Sequence, residues 1–182
     1  MSKTTRNSVY IAASLDGYIA DENGGVDWLH AYPNPEQSDM GFNDFMGRID
    51  ALLMGRNTLD IVLSFGGEWP YSKPVFVLSN SLTKVPEDYE DKVILVKGNI
   101  SSVLTSLHEQ GLKRIYVDGG NVIQQCLAED LIDELVIATI PVLLGKGIPL
   151  FGELAKPLAF EHQHTTKHID AIVQNTYLRV RG

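Results

Sequence analysis

Three short stretches of this sequence hold residues suited to anion chemistry. They are Gly55-Arg56-Asn57-Thr58, Ser79-Asn80-Ser81 and Asp118-Gly119-Gly120-Asn121-Val122. Each follows an apolar run that reads as a buried strand. The first and third lead into an apolar pattern with helical spacing. A helix start presents unpaired backbone N–H groups and a partial positive charge. Arg56 adds a full charge and a planar fork that matches phosphate. Ser79, Asn80 and Ser81 are short hydrogen-bonding groups. Gly119 and Gly120 let the backbone approach a bulky anion closely. A glycine after one strand is usually a turn. Three such strand ends in order, with an arginine and a serine cluster, point to a phosphorylated dinucleotide. No GxGxxG pattern occurs, which disfavours an ordinary Rossmann site.

The elements that position these stretches follow from the apolar pattern. Residues 9–13 read as a short buried strand. Residues 14–35 read as a loop punctuated by Gly17, Gly24, Gly25, Pro33 and Pro35. Phe42, Phe45, Met46 and Ile49 share one helical face. Strands are expected at 50–55, 75–79, 92–98 and 114–120, with a turn at 66–74. Helices are expected at 56–65, from Ser101 or Ser102 as N-cap to a stop at Gly111, and from Val122 through Leu131. Residues 134–144 read as a long strand, and 158–166 with 171–180 as an antiparallel hairpin. Strand and helix alternate as far as about residue 140. The expected class is α/β, a mostly parallel central sheet covered on both faces and closed by C-terminal antiparallel strands. One domain over 1–182, with a core from 8 to 180, accounts for the chain.

Composition narrows the function classes. Apolar residues make up 44% of the 182 residues and charged residues 21%, as in ordinary globular domains. The net charge of −8 argues against a nucleic-acid partner. No apolar run reaches the roughly 20 residues of a membrane span, and the N-terminal "MSKTTRNS" lacks an apolar signal stretch. A cytoplasmic protein with no membrane partner is expected. The single cysteine, Cys126, excludes an intrachain disulfide and falls on an apolar helix stripe, as an inert core residue would. His162, His164 and His168 read as an exposed strand face, so no metal is expected. Trp69, in a Gly/Pro turn, reads as a loop plug or a subunit contact.

The order of "AASLDGYIAD", "MGRNT", "VLSNS", "VDGGNVIQQCL" and "IPVLLGKGIPLF" carries a resemblance. It resembles the three-layer dihydrofolate reductase-like fold. Within that fold it is most similar to stand-alone forms of the reductase domain found at the C-terminus of the bifunctional riboflavin biosynthesis enzyme, the RibD C-terminal family. "SLDGYIA" with "GKGIPLF" marks that branch. "MGRNT" and the paired glycines are shared with dihydrofolate reductases.

The resemblance implies NADPH as cofactor. It implies that Ala12 and Ala13 meet the nicotinamide, leaving room for its ring. Gly55, Arg56, Asn57 and Thr58 would bind phosphate. Ser79 and Asn80 would lie near the adenosine ribose and its 2′-phosphate. Gly119, Gly120, Asn121 and Val122 would run under the pyrophosphate. Residues 14–28 correspond to a lid, with Asp16 and Trp28 at the substrate. Asp27, Asp39 and Asp44 compete for the role of proton donor, with Asp27 favoured beside Trp28. Asp118 stands where the riboflavin-type enzymes have Glu. Plainer roles are open too: Asp16 as turn former, Asp27 as helix N-cap and Asp118 bonded to its own turn. Lys73 is no equivalent of the arginine that grips folate. No HxE…PCxxC deaminase signature occurs. The implied activity is NADPH-dependent reduction of a small molecule, 5-amino-6-(5-phosphoribosylamino)uracil first and dihydrofolate second. A non-catalytic NADPH-binding protein is the third possibility. The relatives imply a homodimer, with "IPVLLGKGIPLF" as a contact.

Overall fold

The computed structural model describes residues 4–182. The first three residues of the N-terminal segment discussed above lie outside the described residues. Ten strands and four α-helices follow in order: β1 (Arg6–Ser14), β2 (Tyr18–Ala20), α1 (Phe42–Gly47), β3 (Ala51–Gly55), α2 (Arg56–Ser64), β4 (Val75–Leu78), β5 (Val93–Val96), α3 (Ile100–Glu109), β6 (Arg114–Asp118), α4 (Gly120–Ala128), β7 (Glu134–Ile140), β8 (Ile148–Pro149), β9 (Phe160–His168) and β10 (Ile172–Arg179). The main sheet has the order β5-β4-β3-β6-β1-β7-β10-β9. Its first six strands run parallel, and β10 and β9 join antiparallel.

Strand alternation divides the core into two layers. Ala51 and Leu53 of β3 and Ile115 and Val117 of β6 face one way, into a cluster with Leu104 of α3 and Ile123 of α4. Leu52, Met54 and Tyr116 face the other way, against Phe45 of α1 and Leu59 of α2. Strands β3, β4 and β5 are apolar throughout, as expected of parallel strands in a covered sheet. This is the three-layer arrangement expected from the sequence.

At the sheet's amino edge, Glu134 opens β7 and is nearly fully buried. It accepts from Ser8 Oγ at 2.7 Å and from Arg48 Nη1 at 2.8 Å. Burial alone would raise its pKa, but the Arg48 and Ser8 hydrogen bonds and the Arg48 and Arg6 charges bring it below the usual value. The group ties β1, β7 and the end of α1 together.

Four local expectations need correction. The N-cap of α3 is Asn99, not Ser101 or Ser102: its side chain accepts from Ser102 N at 2.8 Å. This lets Ile100 begin the helix fully buried. The helix carrying Val122 ends at Ala128, short of Leu131. Asp130, at φ 55°, turns the chain so that Leu131 N–H donates to Cys126 O at 2.8 Å, a Schellman-type stop. Strand β7 ends at Ile140, because Pro141 has no N–H to continue the ladder. Finally, residues 14–35 are not all loop, because β2 pairs antiparallel with β8.

That small ribbon depends on close backbone approach. A Cβ at Gly147 would run into the carbonyl oxygen of Ala20. We predict that Gly147→Ala lowers stability by about 1–3 kcal/mol, as overpacking against rigid backbone does. A denaturation midpoint equal to wild type would refute the close approach.

Candidate active site at the carboxyl edge of the sheet

Strands β3, β4 and β6 all end at one edge, and a cavity of about 620 Å³ lies there. Two helices begin on its wall. Helix α2 starts at Arg56 directly after β3, and α4 starts at Gly120 two residues after β6. Neither N-terminus has a side-chain cap. Helix α3 starts at the same edge and is capped by Asn99. The first backbone N–H groups of α2 and α4 thus lack the usual side-chain partner. Among the described residues lining the cavity, Arg56 and Asp118 are the charged ones.

Thr58 and Gly119 bring the two helix starts close together. Gly119 has φ 92°, a left-handed conformation that side chains rarely adopt, and a Cβ there would strike Thr58 Oγ1. Gly119 is therefore required by its backbone conformation, whereas a Cβ at Gly120 would meet the end of the Ile19 side chain. Arg56 is about half exposed, with Nε 3.6 Å from Asp60 Oδ2. An exposed i,i+4 pair of this kind is weak, so the guanidinium is free to turn to an anion.

Of the expected cofactor residues, Gly55, Arg56, Asn57, Thr58, Ser79, Asn80, Gly119, Gly120, Asn121 and Val122 all line this cavity. Ser79 Oγ also accepts from Leu82 N at 3.0 Å, and Asn80 Oδ1 from Gly98 N at 3.2 Å. These two therefore shape their own turn as well as the wall. Asn121 is bonded to Gln125.

Ala12 and Ala13 place their side chains in different layers, so only their backbone could serve one site together. Their side chains point to opposite faces of β1. Ala13 is buried in the layer with α3 and α4. Ala12 packs with Trp28 against Ala138 and Ile140. Their small size serves core packing, and Ile11 is the β1 residue that lines the cavity. Asp16 is both turn former and brace. It accepts from Ser14 Oγ at 2.6 Å, Leu144 N at 3.1 Å and Gly145 N at 2.8 Å. Those bonds, the Ser14 one foremost, hold its carboxyl below the usual range. Asp27 is exposed, outside the cavity lining, and Val26 rather than Asp27 stands at the cap of its 3-10 turn. Asp39 accepts from Gly41 N at 3.0 Å and Asn43 N at 2.9 Å, which fixes the entry to α1.

The far wall was not anticipated. Ile19 and Ala20 of β2 and Ile148 and Pro149 of β8 form it. Gln124 Nε2 of α4 donates to Pro149 O at 2.8 Å, joining the ribbon to the helix. No periodicity marks a three-residue strand whose partner lies some 130 residues away. The only hint was apolar Ile19 and Ile148 in glycine-rich context.

Asp118 is the titratable group of the cavity. Burial pushes its carboxyl up to about 6, against weaker opposing hydrogen bonds from Gly119 N–H and Tyr116. The Gly119 N–H bond to Oδ1 is 2.9 Å, so the modest turn role also holds. Below pH 3.8 the group is protonated whether folded or unfolded. Between pH 3.8 and about 6 the native state holds a proton that the unfolded chain releases. Its stabilising contribution is thus lost as pH rises through that window. We predict that Asp118→Asn gains about 1–3 kcal/mol of stability at pH 8 and almost none at pH 3.5. Chemical denaturation at the two pH values checks this, and an equal change at both would contradict the raised pKa.

Comparison with known proteins follows this geometry. Residues 8–174 match the RibD C-terminal domain family. A Shewanella sp. PV-4 protein, provisionally named for riboflavin biosynthesis, is 56% identical, with TM-score 0.94 over 97% of this chain and 99% of that one. The diaminohydroxyphosphoribosylaminopyrimidine deaminase/5-amino-6-(5-phosphoribosylamino)uracil reductase of Thermotoga maritima shares the fold at 18% identity and TM-score 0.75, over 98% of this chain and 57% of that one. Dihydrofolate reductase from Enterococcus faecalis, in complex with NADP(H), shares the fold at 17% identity and TM-score 0.66, over 96% of each chain. With its three-layer sheet and its carboxyl-edge cavity, this chain belongs to the RibD C-terminal domain family of riboflavin-pathway-type reductases.

Proposed function

We propose that this chain is an NADPH-dependent reductase acting on a phosphoribosylamino-pyrimidine such as 5-amino-6-(5-phosphoribosylamino)uracil. The observation that carries the reading is the pair of uncapped helix starts, α2 and α4, opening on one cavity beside Arg56. Two such ends suit the several phosphate groups of a phosphorylated dinucleotide. The Gly119–Thr58 approach brings the two helix starts together, because no Cβ stands between them. When bound, the nicotinamide supplies the hydride. Everything else falls to the chain's residues.

Gly55, Asn57, Gly120, Asn121 and Val122 shape the phosphate seat, and Arg56 supplies its charge. Ser79 and Asn80 bracket the ribose end. Ile11, Ile19 and Ile148 keep water from the reacting ring, and the backbone of Ala12 and Ala13 takes its carboxamide. Asp118 is the first choice for holding and passing a proton, because a carboxyl near pKa 6 exists in both forms at neutral pH. Asp27 keeps this role only if its segment closes over the substrate. We further propose a homodimer built on the segment from Ile140 to Phe151, where Leu143 and Phe151 are 70% and 50% exposed. Light scattering should then report about twice the 20.1 kDa of one chain.

Titration calorimetry with NADPH and NADH tests the cofactor reading. NADPH should bind at least about tenfold tighter than NADH, and Arg56→Ala should erase most of that margin. Gly119→Ala should abolish NADPH binding. If the wild-type chain binds neither nucleotide, the reading falls.

A further inference from the structure

Strands β1 and β6 pair at Arg6–Arg114, Asn7–Ile115 and Ser8–Tyr116, and the pairing stops there. Both strands run on, β1 to Ser14 and β6 to Asp118. They therefore part toward the carboxyl edge, where Ile11 and Asp118 line the cavity. One side chain spans the parting. Tyr116 Oη donates to the Tyr10 carbonyl oxygen at 3.0 Å. The same hydroxyl lies against the Asp118 carboxyl as a side-chain hydrogen-bond partner. Tyr116 and Asp118 are two residues apart on one strand, so they share a face of the sheet.

The Tyr116 ring is held still. It is buried, and the Phe45 and Phe42 rings stand edge-on to it at 5.1 and 6.4 Å between centroids. Burial foremost, and then the Asp118 charge, raise its pKa well above the usual value, so the phenol keeps its proton. A phenol has one hydrogen, and two acceptors compete for it here. Only the O–H torsion is free to choose between them. Tyr71, from the turn after α2, and Tyr10, behind Tyr116, are the other titratable groups nearby. Arg56, the other charged residue of the lining, lies beside Asp60.

We propose that Tyr116 is a positioning residue for Asp118. While Asp118 holds a proton, its O–H donates to Tyr116 Oη and the phenol donates to Tyr10 O. Once that proton has passed to a lone pair of the substrate, the phenol O–H turns to the carboxylate. The carboxyl O–H bond breaks, its electron pair stays on Asp118, and no bond of Tyr116 breaks. A proton from solvent restores the acid. The proposal rests on the reductase reading above and deepens it. The phenol aims the acid before transfer and stabilises its anion afterwards.

Nuclear magnetic resonance of the full chain, carbon-13-labelled and free of nucleotide, tests this. The Asp118 carboxyl is the resonance missing from Asp118→Asn. In Tyr116→Phe its titration midpoint should rise by about one unit or more, because the carboxylate loses a donor. Tyr71→Phe should leave the midpoint in place. In the wild-type chain, the Tyr116 ring carbon bonded to oxygen should titrate with the Asp118 midpoint, and in Asp118→Asn it should stay flat. This second measurement serves if Tyr116→Phe does not fold. In turnover of the pyrimidine, Tyr116→Phe should lower kcat several-fold at unchanged KM. An unmoved midpoint in Tyr116→Phe, an equal rise in Tyr71→Phe, a Tyr116 carbon that ignores Asp118 or an unaltered kcat would overturn the proposal. Absence of turnover or of nucleotide binding in the wild-type chain counts against the reductase reading instead, because the titrations need neither.

Discussion

Parallel pairing is the constraint on which the rest of this molecule depends. Strand β1 pairs in parallel with both β6 and β7, and β3 with both β4 and β6. Parallel neighbours require a crossover, and each crossover begins at the edge where its strand ends. Helix starts therefore gather at one edge of the sheet. Two of them, α2 and α4, have no side-chain cap there, while Asn99 caps α3. The difference is electrostatic: at the first two, the leading N–H donors and the partial positive charge have no side-chain cap.

The two edges of the sheet treat polar groups differently. At the amino edge, Glu134 is buried with Arg48 and Ser8 in direct hydrogen bonds. Breaking such a group would strand a charge, so it fixes geometry. At the carboxyl edge, Asp118 is half-buried in the cavity wall with no ion-pair partner among the described residues, and its pKa rises. Ionisable groups carrying such a burden cluster at functional sites.

Much of this was legible in the sequence. Apolar runs from β3 to β7 announced strands buried on both faces. Arg56, the glycines at 119 and 120, and the serine turn at 79 fell on one cavity wall because all three follow parallel strands. The alanines at 12 and 13 place their side chains in different layers, which adjacency in the sequence does not show. Adjacent residues of a strand face opposite sides, so two small neighbours cannot both open onto one pocket with their side chains. Asp27 stands beside Trp28 in sequence but not in burial: Trp28 packs inward while Asp27 stays exposed, outside the cavity lining.

The sequence by itself determined the alternation of elements, the edge where the cavity opens, and the residue types suited to phosphate that line it. These follow from local periodicity and from the rule that parallel strands share an end. Only the tertiary structure decided the far wall, the state of Asp118 and the bond from Tyr116 to Tyr10. The β2–β8 ribbon pairs residues about 130 apart. Desolvation of a carboxyl depends on what encloses it. Tyr116 reaches the Tyr10 carbonyl only because β6 and β1 are neighbours in the finished sheet. Each is a product of distant segments packing together, which no local pattern encodes.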